Sequence, residues 1–429
     1  MTSDALQHVL RKSAYEAPAW MKTVGLALTV IGGLAWIAGL FVDYDAAWRS
    51  YLFNYFFWTG LALGGVLWSA TLRITNARWG RSLLRLWEGM GFFLPVSLLL
   101  FAGLLVGALT SHVYPWVGHP IELKEQWLAP GFVLGRTTVY TLLLFGLVML
   151  YLYHSLKSDV RVLHGTRLAP AWFERMFANA DGSDAEWQKS QNRLVRLAPI
   201  LALAYGILVS LLAFDLLMSL EPYWYSTMFG GFIFMGNMYL GLAAITWIAP
   251  GVAKRALLQD QIGKMQYWDL GKLFFAFTML WTYLMWSQYL PIWYSNYHEE
   301  AGYVLKRTAG PYRDWAFLLL ALVWVIPWWM LLPKNLKMRP GWLGAATLIG
   351  AVGIWLERWT IVIPSQFDTA PVAAEAAVFP GWIDLGAGAL YAGLFLLSYR
   401  FFLNAVPVVA VGDTIMRKLV TGELKSHGH

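Results

Sequence analysis

Ten long apolar runs constrain this chain more than any other feature. They cover roughly residues 22–42, 51–72, 89–111, 132–154, 195–220, 224–249, 270–294, 315–333, 342–364 and 382–403. A helix needs about 20 apolar residues to cross a hydrocarbon core. Lipid offers no partner to an open backbone amide, so membrane spans are helices or closed barrels. The alternating ten-residue segments of a barrel are missing here. The expected fold is therefore all-α: a single polytopic membrane domain over 1–429 with about ten transmembrane helices. Composition agrees, because 58% of the 429 residues are hydrophobic and 13% charged, against roughly a quarter charged in soluble domains.

The basic residues set the expected orientation. Of 32 Lys and Arg, 23 fall in the two tails, taken with Lys22 and Arg400 at the tail ends of the first and last spans, and in the loops after spans two, four, six and eight. The loops after odd-numbered spans hold Arg49, Lys124, Lys306, Arg307 and Arg313, and the spans or their edges hold Arg136, Arg196, Lys272 and Arg358. This asymmetry places both termini in the cytoplasm and explains the net charge of +7 without nucleic acid. No small-residue cleavage site follows the first run, and the polar segment before it reads as a tail near the membrane surface. The longest connection, 155–191, reads as a cytoplasmic loop with a short interfacial helix after Pro170, around Trp172 and Phe173. Gly60 and Gly64, four residues apart, predict a close helix–helix approach.

The chain has no Cys, which excludes disulfides, cysteine-ligated iron–sulfur clusters and thioether-linked haem c. Its eight His are scattered, and only His112 and His154 lie at the edges of apolar runs, which argues against a bis-histidine haem. No cofactor or metal is expected to be ligated by this chain.

Ionisable residues inside spans are costly and concentrate where there is function or pairing. Asp215, Glu221, Glu357, Arg358, Arg136, His112 and Asp384 collect at the expected outer level, from several different spans. Glu88, Arg196, Asp269 and Lys272 lie at the inner side. One reading is a set of structural ion pairs, for instance Arg358 with Asp215. The other is a proton relay, or the polar end of a pocket where a carboxylate accepts a hydroxyl proton. Glu357 and Arg358 are neighbours and point about 100° apart on a helix, so the expectation is that one serves the cluster and the other an interface. Asp215 and Glu221 lie about 240° apart, which leaves Asp215 to face the bundle while Glu221 ends the span. Trp224, Tyr225, Trp293 and Tyr294 fall where an aromatic belt is expected.

Three stretches carry a family resemblance: "FDLLMSLEPYWYSTMFG" from Phe214, "DLGKLFFAFTMLWTYLMWSQYLPIWYSN" from Asp269 and "NARWGRSLLRLWEG" from Asn76. They resemble the F subunit of alternative complex III, a bacterial quinol:electron acceptor oxidoreductase. Leu216 and Tyr223 stand where that pattern more often has Trp and His, and Tyr297 with His298 replaces an apolar–Pro pair. The resemblance implies a fold like the polysulfide reductase membrane subunit: spans two to five and six to nine as two four-helix bundles, with spans one and ten flanking them. It implies the bacterial cytoplasmic membrane, contact with lipids and menaquinone or another quinone, and a proton path. Implied partners are an iron–sulfur subunit, c-type haem subunits, a sister ten-span subunit and small membrane subunits. Asp215 and Lys272 carry over from the matching stretches as candidates for proton handling, with Asp269 beside Lys272. Two other readings compete. A secondary transporter would show paired broken helices, and Pro95 in span three has no evident counterpart in the second half. A membrane anchor would carry no chemistry.

Overall fold

The computed structural model describes residues 15–163, 171–180, 182–366 and 379–424. All regular structure among them is helical. Leaving aside the short turn Ala171–Met176, the helices in chain order are α1 (Ala19–Val42), α2 (Tyr44–Ile74), α3 (Arg81–Thr110), α4 (Pro130–Leu163), α5 (Asp184–Leu220), α6 (Phe229–Arg255), α7 (Lys264–Ser295), α8 (His298–Thr308), α9 (Arg313–Met330), α10 (Lys334–Lys337), α11 (Pro340–Val362), α12 (Trp382–Ala405) and α13 (Thr414–Val420).

Nine of these, all except α7, α8, α10 and α13, are long and apolar enough to cross a membrane. The run at 270–294 is helical throughout within α7, which has 32 residues. Three Trp, three Tyr, Lys272 and Gln288 within that run make it less apolar than the other nine. The first fourteen residues, expected to lie near the membrane surface, fall outside the described residues. The short helix expected after Pro170 is present at Ala171–Met176. There the ring of Trp172 lies 6.5 Å from that of Phe92 and 6.0 Å from that of Phe401, so this residue packs on the bundle.

Two helices break at proline. In α3 a 3-10 turn at Gly91–Phe93 precedes Pro95, which has no N–H to donate and crowds the carbonyl four residues back. In α9 a π-helical turn spans Ala321–Val325 ahead of Pro327, for the same reason. The second half of the chain thus does contain an interruption, contrary to the sequence expectation.

The packing is layered by burial. Within its most apolar stretch α2 is 89% buried, whereas α1 is 17% buried. The closest pairs are α1 with α12 and α2 with α6. In the second pair, a Cβ added at Gly60 would collide with the Asn237 side chain, and one at Gly64 with the Asn237 carbonyl. The four-residue glycine spacing therefore does what the sequence suggests: it lets two backbones meet. Around this centre, α6 also packs on α5, α7 and α11, and α11 packs on α9.

Candidate functional site: a buried Glu–Arg pair beneath an aromatic cavity

Glu357 and Arg358 sit near the end of α11, which packs against α2, α6, α7 and α9. Neither faces an outer interface, since Glu357 is 1% exposed and Arg358 0%. The expected division of roles between them is wrong. A 100° turn sends one side chain out only when one side of the helix is open, and α11 is enclosed here on both sides. Glu357 accepts from the indole N–H of Trp281 on α7 and from Nη1 of Arg358 itself. Arg358 turns to α6, where Nη2 donates to the Ile233 carbonyl and to Asn237 Oδ1, both at 3.3 Å. Gly236 makes room for it, because a Cβ there would lie 2.7 Å from Nη2. The buried Nε of Arg358 has no partner among the described residues.

Glu357 also lines a cavity of about 1020 Å³ formed among α6, α7, α8, α9 and α11. Nine aromatic residues contribute to its walls, among them Trp224, Phe232, Trp281, Tyr289, Tyr303 and Trp324, and Arg307 and Arg313 line it beside Glu357. Trp224 is a correction to the belt expectation. The connection before α6 folds over the bundle, so the residue is 4% exposed and its ring stacks on Tyr303 at 3.6 Å. Its buried indole N–H has no partner among the described residues. Tyr225, Trp293 and Tyr294 are exposed, as a belt requires. The cavity wall at α8 is fixed by Arg307, which donates to the carbonyls of Thr360 (2.9 Å), Ile361 (2.8 Å) and Tyr303 (2.8 Å) and to Ser365 Oγ (2.6 Å). Two of these carbonyls belong to the last turn of α11, which has no amides of its own left to offer them.

The other candidates occupy separate stations. Asp215 (α5) accepts two bonds from Arg136 (α4), Nε to Oδ2 at 2.7 Å and Nη2 to Oδ1 at 2.6 Å. Arg136 also donates to the Trp127 carbonyl at 2.7 Å and lies over the Trp127 ring at 4.0 Å. Asp215 is therefore paired with Arg136 and not with Arg358, and neither Asp215 nor Arg136 lines the cavity. Glu221 ends its span as expected and meets Lys306 at 3.0 Å, tying α8 to the connection between α5 and α6. Asp384 is buried near the start of α12, accepting from Gly381 N (2.9 Å), Trp359 Nε1 (3.1 Å) and Ser50 Oγ. His112 lies beyond the end of α3, its side chain 93% exposed and 3.1 Å from Asp45. It does not join the buried groups. Asp269 and Lys272 pair at 2.7 Å within α7, with the lysine about half exposed, while Arg196 is exposed.

The largest buried charge cluster is one the sequence reading treated mostly as loop charge. Arg85 binds Glu88 at 2.6 Å and Asp159 at 2.5 Å. Arg73 binds Asp413 at 2.7 Å and Glu88 at 3.3 Å, and Arg81 reaches Asp413 at 3.1 Å. Ser69, Ser155 and Tyr151 complete the network. Burial alone would raise the Asp413 carboxyl, but Arg73 and Arg81 outweigh it and hold it below the usual carboxylate range. Three arginines face three carboxylates, so the cluster is balanced and joins α2, α3, α4 and the start of α13. One signal was available: Arg81, Arg85 and Glu88 recur at helical spacing, which puts them on one face.

No protein-family model matches the chain, and no curated protein matches it significantly. What the fold does define is a class: an all-helical chain with nine helices suited to a membrane among its described residues, enclosing a buried acid–base pair beneath a large aromatic cavity.

Proposed function

We propose that this chain is the F-type membrane subunit of an alternative complex III-like quinol:electron acceptor oxidoreductase in a bacterial cytoplasmic membrane. The observation that supports this most is Glu357 at the wall of the 1020 Å³ cavity. That volume is at the upper end of pockets for small ligands, which combine apolar walls with a few placed polar groups. A quinol ring fits such walls. Its hydroxyl would donate to the Glu357 carboxylate, and its ring would lie against the aromatic part of the lining.

In this reading the two quinol electrons pass to iron–sulfur and haem centres of partner subunits. Of the two protons released, Glu357 would take one, with Arg358 balancing its charge before the transfer, and water would take the other. The fold is read as ten spans with α7 as the seventh, both termini cytoplasmic, and α1 and α12 flanking two four-helix bundles. The partners are an iron–sulfur subunit, c-type haem subunits, a sister ten-span subunit and small membrane subunits. The closed Arg136–Asp215 pair supports a structural part for Asp215, so the proton role passes to Glu357. Interruptions in α3 and α9 leave the transporter reading available, but no charged residue at either break lines the cavity.

Gentle solubilisation tests the assignment: haem c and iron–sulfur absorbance should co-purify with this chain. A lone, colourless protein would overturn it. Within an intact complex, Glu357→Gln should lower quinol oxidation at least tenfold while Asp215→Asn leaves the rate unchanged.

A further inference from the structure

A second polar feature lies at the other end of α7, away from the cavity. Lys272 Nζ is 4.1 Å from the Trp268 ring, and Lys334 Nζ, from α10, is 4.7 Å from the same ring. Lys337 Nζ lies 4.7 Å over Phe275, two turns further along α7 than Trp268. Gly271 allows this convergence, since a Cβ there would meet the Lys337 Cβ at 2.9 Å. Two helices thus bring three ammonium groups onto one aromatic face. Burial, and then the nearby Lys272, push the Lys337 ammonium below its usual range, as expected where like charges crowd without enough counter-charge. Asp269 is the nearby carboxylate and is bound to Lys272 at 2.7 Å. No Asp or Glu occurs anywhere between Leu320 and Leu356, a stretch that also carries Arg339.

The excess of positive charge borders an apolar surface. Phe275 stacks on Trp328 at 6.2 Å, and Trp328 meets Trp329 at 5.0 Å. Trp329 is 63% exposed, with Leu332 and Trp342 exposed nearby in sequence. A soluble anion would use the lysines and leave this surface unused. A nucleic acid would meet a patch at the ends of membrane helices.

The geometry points to a binding site for an anionic phospholipid, its phosphate held by Lys272, Lys334 and Lys337 and its acyl chains lying along Trp328 and Trp329. Basic pockets between membrane helices hold acidic headgroups in this way, each cation contributing about 1 kcal/mol near the surface, roughly a fivefold change in affinity. The site is independent of the quinol reading.

The test uses the full chain, delipidated in detergent, with phosphatidylglycerol or phosphatidylcholine added as mixed micelles. Lipid retained is counted by native mass spectrometry. Phosphatidylglycerol should be retained and phosphatidylcholine lost, and the Lys334→Gln/Lys337→Gln pair should weaken retention roughly 25-fold, two cations at about fivefold each. A control pair at exposed lysines elsewhere, Lys189→Gln/Lys418→Gln, should retain the lipid normally. Equal retention of the two lipids, or equal loss in the control pair, overturns the site. Inorganic phosphate displacing phosphatidylglycerol at millimolar concentration would mean a free-anion site and would overturn it too. If the variant does not fold, the comparison of the two lipids and phosphate on the wild-type chain still decides.

Discussion

Removing one partner of the Glu357–Arg358 pair should cost far more than removing both. In Glu357→Met the guanidinium, 0% exposed, keeps only the Ile233 carbonyl and Asn237 Oδ1, both at 3.3 Å. In Arg358→Met the carboxylate keeps the Trp281 N–H but loses its counter-charge. Breaking a buried ion pair on one side costs about 3–5 kcal/mol, whereas replacing both members by apolar groups of similar size is often neutral or better. A double-mutant cycle in detergent, read by unfolding free energy, should therefore give single losses of about 3–5 kcal/mol and a coupling of several kcal/mol between them. Single losses below about 1 kcal/mol that simply add would refute the reasoning, because they would mean that the pair is solvated.

Other consequences are equally direct. Asp215→Asn should destabilise the chain by about 3–5 kcal/mol by stranding Arg136 between α4 and α5, measured by thermal unfolding. Asp413 is held below its usual range, so its stabilisation is fully present above the unfolded value of about 3.9 and is lost as pH falls toward the lower folded value. The stability gap between wild type and Asp413→Asn should stay constant from pH 7 to about 5 and shrink only below about 4. A gap that closes at pH 6 would contradict the Arg73–Asp413–Arg81 clamp. Gly64→Leu should separate α2 from α6 and prevent assembly of a folded monomer, read by size-exclusion chromatography. The same change at Gly146, where an added Cβ meets nothing within 4 Å, should leave the elution unchanged.

The sequence by itself determined the ten long helices, although α4 and α5 run past their apolar cores to Leu163 and back to Asp184, and it did not mark α8, α10 or α13. Runs of about 20 apolar residues have one local solution in lipid, and the Gly60–Gly64 spacing marked a close contact before any fold was known. It also determined that ionisable groups would be buried, because Asp215, Glu357 and Arg358 lie inside apolar runs with no route to water along their own helices. Partners were another matter. Arg136 rather than Arg358 meets Asp215, Glu357 and Arg358 bind each other, and Trp224 leaves the belt to line a cavity. Each outcome depends on which helices stand next to α4, α5 and α11, and helical periodicity describes one helix at a time. The Arg73–Arg81–Arg85 cluster shows the same limit from the other side. As charges beside a span they read as topology, and only the return of Asp413 from the far end of the chain makes them a buried network. Local sequence sets which groups lose water, but the electrostatic partner that makes the loss tolerable stands anywhere from the next residue (Glu357–Arg358) to 340 positions away (Arg73–Asp413), and only tertiary packing selects it.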